Sequence, residues 1–227
     1  DKVVIITDDL VDYPNTPNSI SEHKVDFVVE VESVGDSSKI ASGAIRDTKN
    51  PRDILLAQQA AKVIINSGYF KDGFSIQTGS GGASLAAVKF IRESMIEKGI
   101  KANYALGGIT AHMVKMHEEG LIKRLIDVQS FDKVAAESVK NNEFHKEVSA
   151  SEYAAADEQG SATHYLDIVI LSALEVDVNF NVNVLVGSDG IIRGAIGGHP
   201  DTAADSALSI IVCPLLRGRI PCVVDKV

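Results

Sequence analysis

Six short, nearly uniformly apolar runs constrain this chain more than anything else in it: "KVVIITDD", "DFVVEVESV", "FSIQTG", "DIVILSAL", "LSIIVCPL" and "IPCVVD". Each has the length of one strand and is rich in β-branched residues, and the lack of polar alternation marks strands covered on both faces. Stretches with helical spacing lie between them. That alternation predicts an α/β fold with a mostly parallel sheet. At 227 residues the chain is long enough for one compact unit whose core needs neither disulfide nor structural metal.

The clearest helix is expected over residues 50 to 68. Asn50 can cap it, Pro51 suits its first turn, Asp53 complements the dipole, and Gly68 supplies the stop. Ile54, Ala57, Ala61, Ile64 and Ile65 recur at helical spacing. A second helix follows "QTGSGGASLA", with Leu85, Val88, Ile91 and Met95 on one face and Gly99 at its end. Residues 112 to 165 are more polar, and "SVKNNEFHKEVSASEYAAADEQGSATHY" reads as a solvated helix and long loop.

A formal net charge of -9 opposes nucleic acid and anionic lipid as partners. The longest clean apolar run, "LSIIVCPLL", is far shorter than the roughly 20 residues of a membrane span. No signal peptide precedes the first strand, so the cytoplasm is the expected compartment. Cys213 and Cys222 each lie in an apolar stretch and read as buried, reduced thiols. A start at Asp1 and a stop inside "CVVDKV" suggest a piece of something longer.

Four stretches can carry chemistry. "GSGG" stands between the strand "FSIQT" and a helix, where backbone N–H groups and the helix dipole can meet an anion; a tight βα turn uses the same glycines equally well. It lacks both the Lys-Ser/Thr ending of a P-loop and the spacing of a dinucleotide fingerprint. "GIIRGAIGGHPDTAADSA" places Arg193 and His199 among glycines, as an oxyanion hole or a structural turn would. In "ALGGITAHMVKMHEEGLIKRL", after the strand "NYAL", His112 and His117 stand five apart, about 140° around a helix, so they cannot share a metal. In "SALEVDVNFNVNV" period-two spacing puts Glu175, Asp177, Asn179, Asn181 and Asn183 on one side of a strand, although asparagines in a turn fit too. No G-x-S-x-G elbow occurs.

Taken in order, "QTGSGGASLA", "SALEVDVNFNVNV", "RGAIGGHPDTAADSA" and "LLRGRIPCVVDKV" resemble the second half of a CoA-transferase chain, specifically the citrate lyase alpha subunit family. The resemblance implies a three-layer α/β/α sandwich of the kind shared with ribose-phosphate and glucosamine-phosphate isomerases. It also implies that residues 1–227 are a C-terminal CoA-transferase-like domain whose N-terminal half is absent. The activity it implies exchanges the acetyl group on an acyl-carrier-protein thioester for citrate, releasing acetate. Many relatives attack the thioester with a glutamate in an "HTE"-like loop; here the matching stretch is "GGITAHM", with His112 at the nucleophile's place. The implied route is therefore one in which citrate itself attacks, through an anhydride not attached to the enzyme.

On the same resemblance, Gly197 and Gly198 are oxyanion donors, Arg193 or His199 holds a citrate carboxylate, and His112 is a polar contact. Gly79, Ser80, Gly81, Gly82, Gly107 and Gly108 face the CoA-like group, and Glu175 and Asn179 line the citrate side. The implied partners are citrate, the acetyl-carrier protein (gamma) with its CoA-like prosthetic group, the citryl lyase (beta) subunit and the chain's own N-terminal half. Acetyl-CoA is a surrogate, and no metal is expected. Alternatives are a CoA transferase with acetate, butyrate or citramalate as acceptor, a sugar-phosphate-binding module of the same fold, and a scaffold for partner subunits.

Overall fold

The computed structural model describes residues 1–16, 18–36, 38, 48–79, 81–155 and 160–227. The chain opens with β1 (Val4–Thr7) and β2 (Phe27–Glu30), then α1 (Pro51–Ile65), β3 (Ser75–Thr78), α2 (Gly82–Lys98) and β4 (Ala102–Ile109). Next come α3 (Ala111–Glu118), β5 (Ile122–Ser130), α4 (Lys133–Asn141), β6 (His145–Glu147), α5 (Ala150–Tyr153) and β7 (Ile168–Ser172). The last part holds β8 (Glu175–Asp177), β9 (Val182–Asn183), α6 (His199–Asp205), β10 (Leu208–Val212), β11 (Leu216–Arg217), β12 (Ile220–Pro221) and β13 (Val223–Val224).

The main sheet has the order β10-β7-β3-β4-β5-β6, and every neighbouring pair is parallel. From β3 the chain steps one way to β6, and from β7 the other way to β10. Parallel crossovers are right-handed, so reversing direction moves the connecting helix to the opposite face. The two cores follow this rule. On one face Ile64, Leu85, Ile91, Met95 and Met113 pack with Ile76, Ala105, Leu125, Ile168 and Ile170. On the other, Tyr153 and Ala203 pack with Leu106, Val169, Leu171 and Ile211. Alternate residues of β7 thus serve opposite layers, as a strand covered on both sides requires. The sheet reverses direction between β3 and β7, and such switch points are where open α/β sheets bind ligands, beyond the carboxyl ends of the strands.

Helix α1 forms as its sequence predicts, with the Asn50 side chain accepting from the Arg52 N–H at 3.0 Å. It stops at Asn66, whose amide donates back to the Lys62 carbonyl, ahead of Gly68. Gly99 closes α2 in the left-handed region, at φ 66°.

Three expectations change. The first two apolar runs pair only with each other, in a separate two-stranded parallel sheet. "IPCVVD" gives short strands of small sheets, with β13 beside β8 and β12 beside β11. The polar middle is more than helix and loop: among the described residues it supplies β5, β6 and α5, and residues 156–159 lie outside the described residues. The reason is that Asp127, fully buried, takes the Gln129 N–H, the Ser130 hydroxyl and the buried His145 ring, so its polarity is satisfied inside.

Candidate active site

The loop after β3 is sewn to β7. The Gly79 N–H donates to the Ile170 carbonyl at 2.8 Å, and the Ser84 and Ser172 hydroxyls share a hydrogen bond at 2.9 Å. A Cβ on Gly81 would lie 3.3 Å from the Ser172 hydroxyl, and one on Gly82 would lie 3.3 Å from the Asp53 carboxylate. Asp53 accepts from the Thr48 hydroxyl at 3.0 Å. A carboxylate of the chain itself therefore stands beside the start of α2. That electrostatic setting disfavours a second anion there and suits a neutral acyl or amide group better. Ser80 lies outside the described residues.

Across the sheet, Gln77 near the end of β3 is only 6% exposed, and its Nε2 donates to the Tyr153 hydroxyl at 2.7 Å. The Gln77 Oε1 is buried with no hydrogen-bond partner among the described residues. Burial pushes the Tyr153 phenol up, the hydrogen bond from Gln77 opposes this, and the Asp201 charge adds to it, so the hydroxyl stays protonated. A Cβ on Gly198 would come within 2.6 Å of that hydroxyl. Tyr153 thus fixes how closely the loop before α6 approaches the end of β3. Neither Gln77 nor Tyr153 is a predicted site residue; the available signal was a lone amide in the otherwise buried run "FSIQT".

Gly107 and Gly108 occupy a bulge in β4. Gly107 has φ 97°, and a Cβ there would lie 2.8 Å from the Gln77 amide carbon; on Gly108 it would overlap the Phe131 ring at 1.8 Å. The close approach of the chain's own side chains is what requires glycine at these positions.

The acidic stretch forms a hairpin rather than one long strand. β8 and β9 pair antiparallel with Glu175 opposite Asn183, so the five polar residues do not line one strand face. Asn179 sits exposed in the turn, with its N–H on the Asp177 carboxylate at 2.8 Å. Asp177 also accepts from the Asn181 side chain and backbone and from the Val227 N–H, and these bonds hold its pKa down to about 2. Phe180 completes the turn at φ 63°. Asn179 therefore shapes a turn.

Glu175 lies just beyond β7, at the switch point, and is 3% exposed. It accepts from the Ser188 hydroxyl, from the Ser188 N–H at 2.7 Å and from the Asn183 amide at 3.2 Å. The Ser188 hydroxyl is the main cause that holds its carboxyl below the usual range, with the other two bonds helping against burial. Arg193 faces Asp189 through both ends of its guanidinium. That pairing raises the arginine further and lowers Asp189 to about 2. The guanidinium expected to hold a citrate carboxylate is thus paired with a neighbour four residues away. Arg217 donates to the Ala173 carbonyl at 3.2 Å, which brings an unpredicted cation to the end of β7.

Gly197 adopts φ 52° and Gly198 precedes α6. The His199 Nδ1 bonds the Ile196 carbonyl at 2.8 Å, and its ring lines an apolar cavity of about 330 Å³ with Leu171, Val184 and Ile211. His112 stands elsewhere. It lines a cavity of about 420 Å³ with residues of α1, α2 and α3, including Lys89, Arg92 and Lys115. Those helices cover the face opposite α6, so the sheet separates His112 from Gly197, Gly198 and His199. No cluster of three metal-ligating side chains occurs, and no helix is long and apolar enough to cross a membrane, among the described residues.

The doubly wound parallel sheet with glycine loops over its switch point defines a class. The alpha subunit of a malonate decarboxylase from Acinetobacter baumannii superposes with a TM-score of 0.63 at 16% identity, over 99% of this chain and 47% of that one, which shows a shared fold. The family described as "Citrate lyase, alpha subunit (CitF)" matches residues 1–227, and the chain belongs to that family. It is 60% identical over 227 residues to the citrate lyase alpha chain of Haemophilus influenzae, covering 100% of this chain and 45% of that protein. Its identity to the Escherichia coli K12 citrate lyase alpha chain is 58% over 226 residues, again covering 100% of this chain and 44% of the relative. A Streptococcus mutans structure described as a citrate lyase alpha subunit in complex with citrate superposes with a TM-score of 0.90 at 57% identity, over 100% of this chain and 45% of that one. The chain thus spans less than half the length of these relatives.

Proposed function

We propose that these residues are a catalytic part of a citrate CoA-transferase, the alpha subunit of a cytoplasmic citrate lyase complex. The reaction exchanges acetyl for citryl on a thioester of a partner acyl carrier protein, and a citryl lyase beta subunit consumes the product. Family membership over the whole chain and the citrate described for the S. mutans relative support this substrate.

The state of Glu175 carries the mechanistic part. It is a carboxylate just beyond β7, yet it is buried and takes hydrogen bonds from Ser188 and Asn183, so it is a poor attacking group. A citrate carboxylate attacks the acetyl carbonyl instead. The carrier leaves as thiolate, forming a citryl-acetyl anhydride, and then attacks the citryl carbonyl and expels acetate. Nothing is oxidised or reduced, and one carboxylate oxygen of citrate leaves in acetate.

The chain's task is placement and stabilisation of the developing oxyanion. Gly197 and Gly198 offer backbone N–H groups, and Gln77 and Tyr153 set their height above β3. Gly79, Gly81 and Gly82 leave room for the acyl and pantetheine end of the carrier, which is neutral and so compatible with Asp53 nearby. His199 is a polar contact for citrate, and Arg217 is a cation at the same strand end.

Full-length protein incubated with acetyl-carrier protein, or acetyl-CoA as surrogate, and citrate should release acetate and form the citryl thioester. Equal turnover with butyrate or citramalate, or no acetate at all, would contradict the assignment. Borohydride after incubation with acyl-CoA should reduce no enzyme glutamate.

A further inference from the structure

Strands β1 and β2 pair in parallel with Val4 opposite Phe27, Ile5 opposite Val28 and Ile6 opposite Val29. Paired residues of parallel strands point to the same side, so Val4, Ile6, Phe27 and Val29 form one apolar face. They are 48%, 60%, 58% and 43% exposed. Ile5 and Val28 turn the other way, toward a cavity of about 600 Å³ that Val11, Pro14 and Ile20 of the crossover also line. Ile5 is half-buried against that connection while Val28 stays 55% exposed, so one side of the pair has a partial cover and the other has none among the described residues. Among the described residues neither strand joins the six-stranded sheet, and an exposed Asp9 to Lys140 pair at 3.9 Å is a weak tether between the two regions.

Such an arrangement is unstable by itself. A two-stranded sheet in water is marginal at best, and parallel strands occur almost only with both faces covered. Four large apolar side chains side by side also form a patch of the kind that marks an interface. The curated relatives extend to more than twice the length of this chain, since it covers 45% and 44% of two of them.

We propose that β1 and β2 belong to the sheet of the segment of the longer polypeptide that is absent here. A strand from that segment pairs with the open edge, and its apolar side chains cover Val4, Ile6, Phe27 and Val29. Strands β1 and β2 are then built into the other half of the protein. The inference rests on the chain's share of its relatives' length and not on the transferase reading.

Amide hydrogen exchange on the full-length protein, followed in peptides covering residues 3–7 and 27–30 at two protein concentrations, tests this without any assay of activity. Exchange slowed by about 100-fold or more relative to an unstructured chain, equally at both concentrations, is expected. Fast exchange would overturn the proposal, and protection only at the higher concentration would overturn it in favour of a second copy. As a second measurement, Ile6→Asp and Phe27→Asp in the full-length protein should each lower Tm by several degrees or prevent folding; an unchanged Tm for both would overturn the proposal.

Discussion

At the scale of single residues, Gln77 and Tyr153 matter most, because they join two stretches of chain that sequence spacing does not connect. They stand 76 positions apart, and their hydrogen bond brings the end of β3 under the loop that carries Gly198. Tyr153→Phe removes the acceptor of a buried amide whose oxygen already lacks a partner, at a cost of about 1–3 kcal/mol. On the proposed mechanism, in which Gly198 donates to the oxyanion, kcat of the full-length enzyme should fall more than KM changes. A KM change with kcat intact would assign Tyr153 to binding instead. Asp177 makes a pH prediction. Its folded pKa of about 2 lies below the unfolded value near 4, so its contribution is complete above about pH 4 and disappears as pH falls through 2. Asp177→Asn should therefore flatten that limb of an acid-unfolding curve, and an unchanged limb would place the loss at another carboxylate.

At the scale of elements, the bulge of β4 shows why a glycine motif is easy to see and hard to interpret. Gly107 and Gly108 were legible as a feature of "ALGGITAHM", but sequence does not reveal that Gln77 and Phe131 approach them from other strands and loops. Gly108→Ala should destabilise the protein by about 1–3 kcal/mol through overpacking against Phe131. Phe131→Leu in the same chain should recover part of the loss, as read by thermal melting; purely additive losses would argue that Phe131 is not the obstacle. Helices α1 and α2 were readable to within a few residues because their caps and apolar spacing are local. β5 was not, since its buried Asp127 depends on partners at the end of β5 itself and in β6. The stretch from Glu175 to Asn183 misled for a related reason: a hairpin with its turn at Asn179 preserves the alternating pattern while folding it back on itself.

At the scale of the whole molecule, the parallel α/β architecture followed from the apolar runs, whereas the strand order came only from the structure, and handedness then accounts for the face each connecting helix covers. What could not be read was which runs share a sheet. β1 and β2 carry the same buried-strand signature as β7, and only their pairing shows that they belong to another sheet. The site follows the same division. Gly197, Gly198 and His199 gather at one face of the switch point with Tyr153 and Gln77, whereas His112 lies on the other face among α1, α2 and α3. The central claim is that citrate, rather than a side chain, attacks the acetyl thioester. A single turnover of the full-length protein with acetyl-carrier protein and citrate labelled with ¹⁸O in its carboxylates decides it. Direct attack predicts one ¹⁸O in the released acetate and no mass change in the enzyme. Unlabelled acetate, together with ¹⁸O incorporated into an enzyme carboxylate, would contradict it.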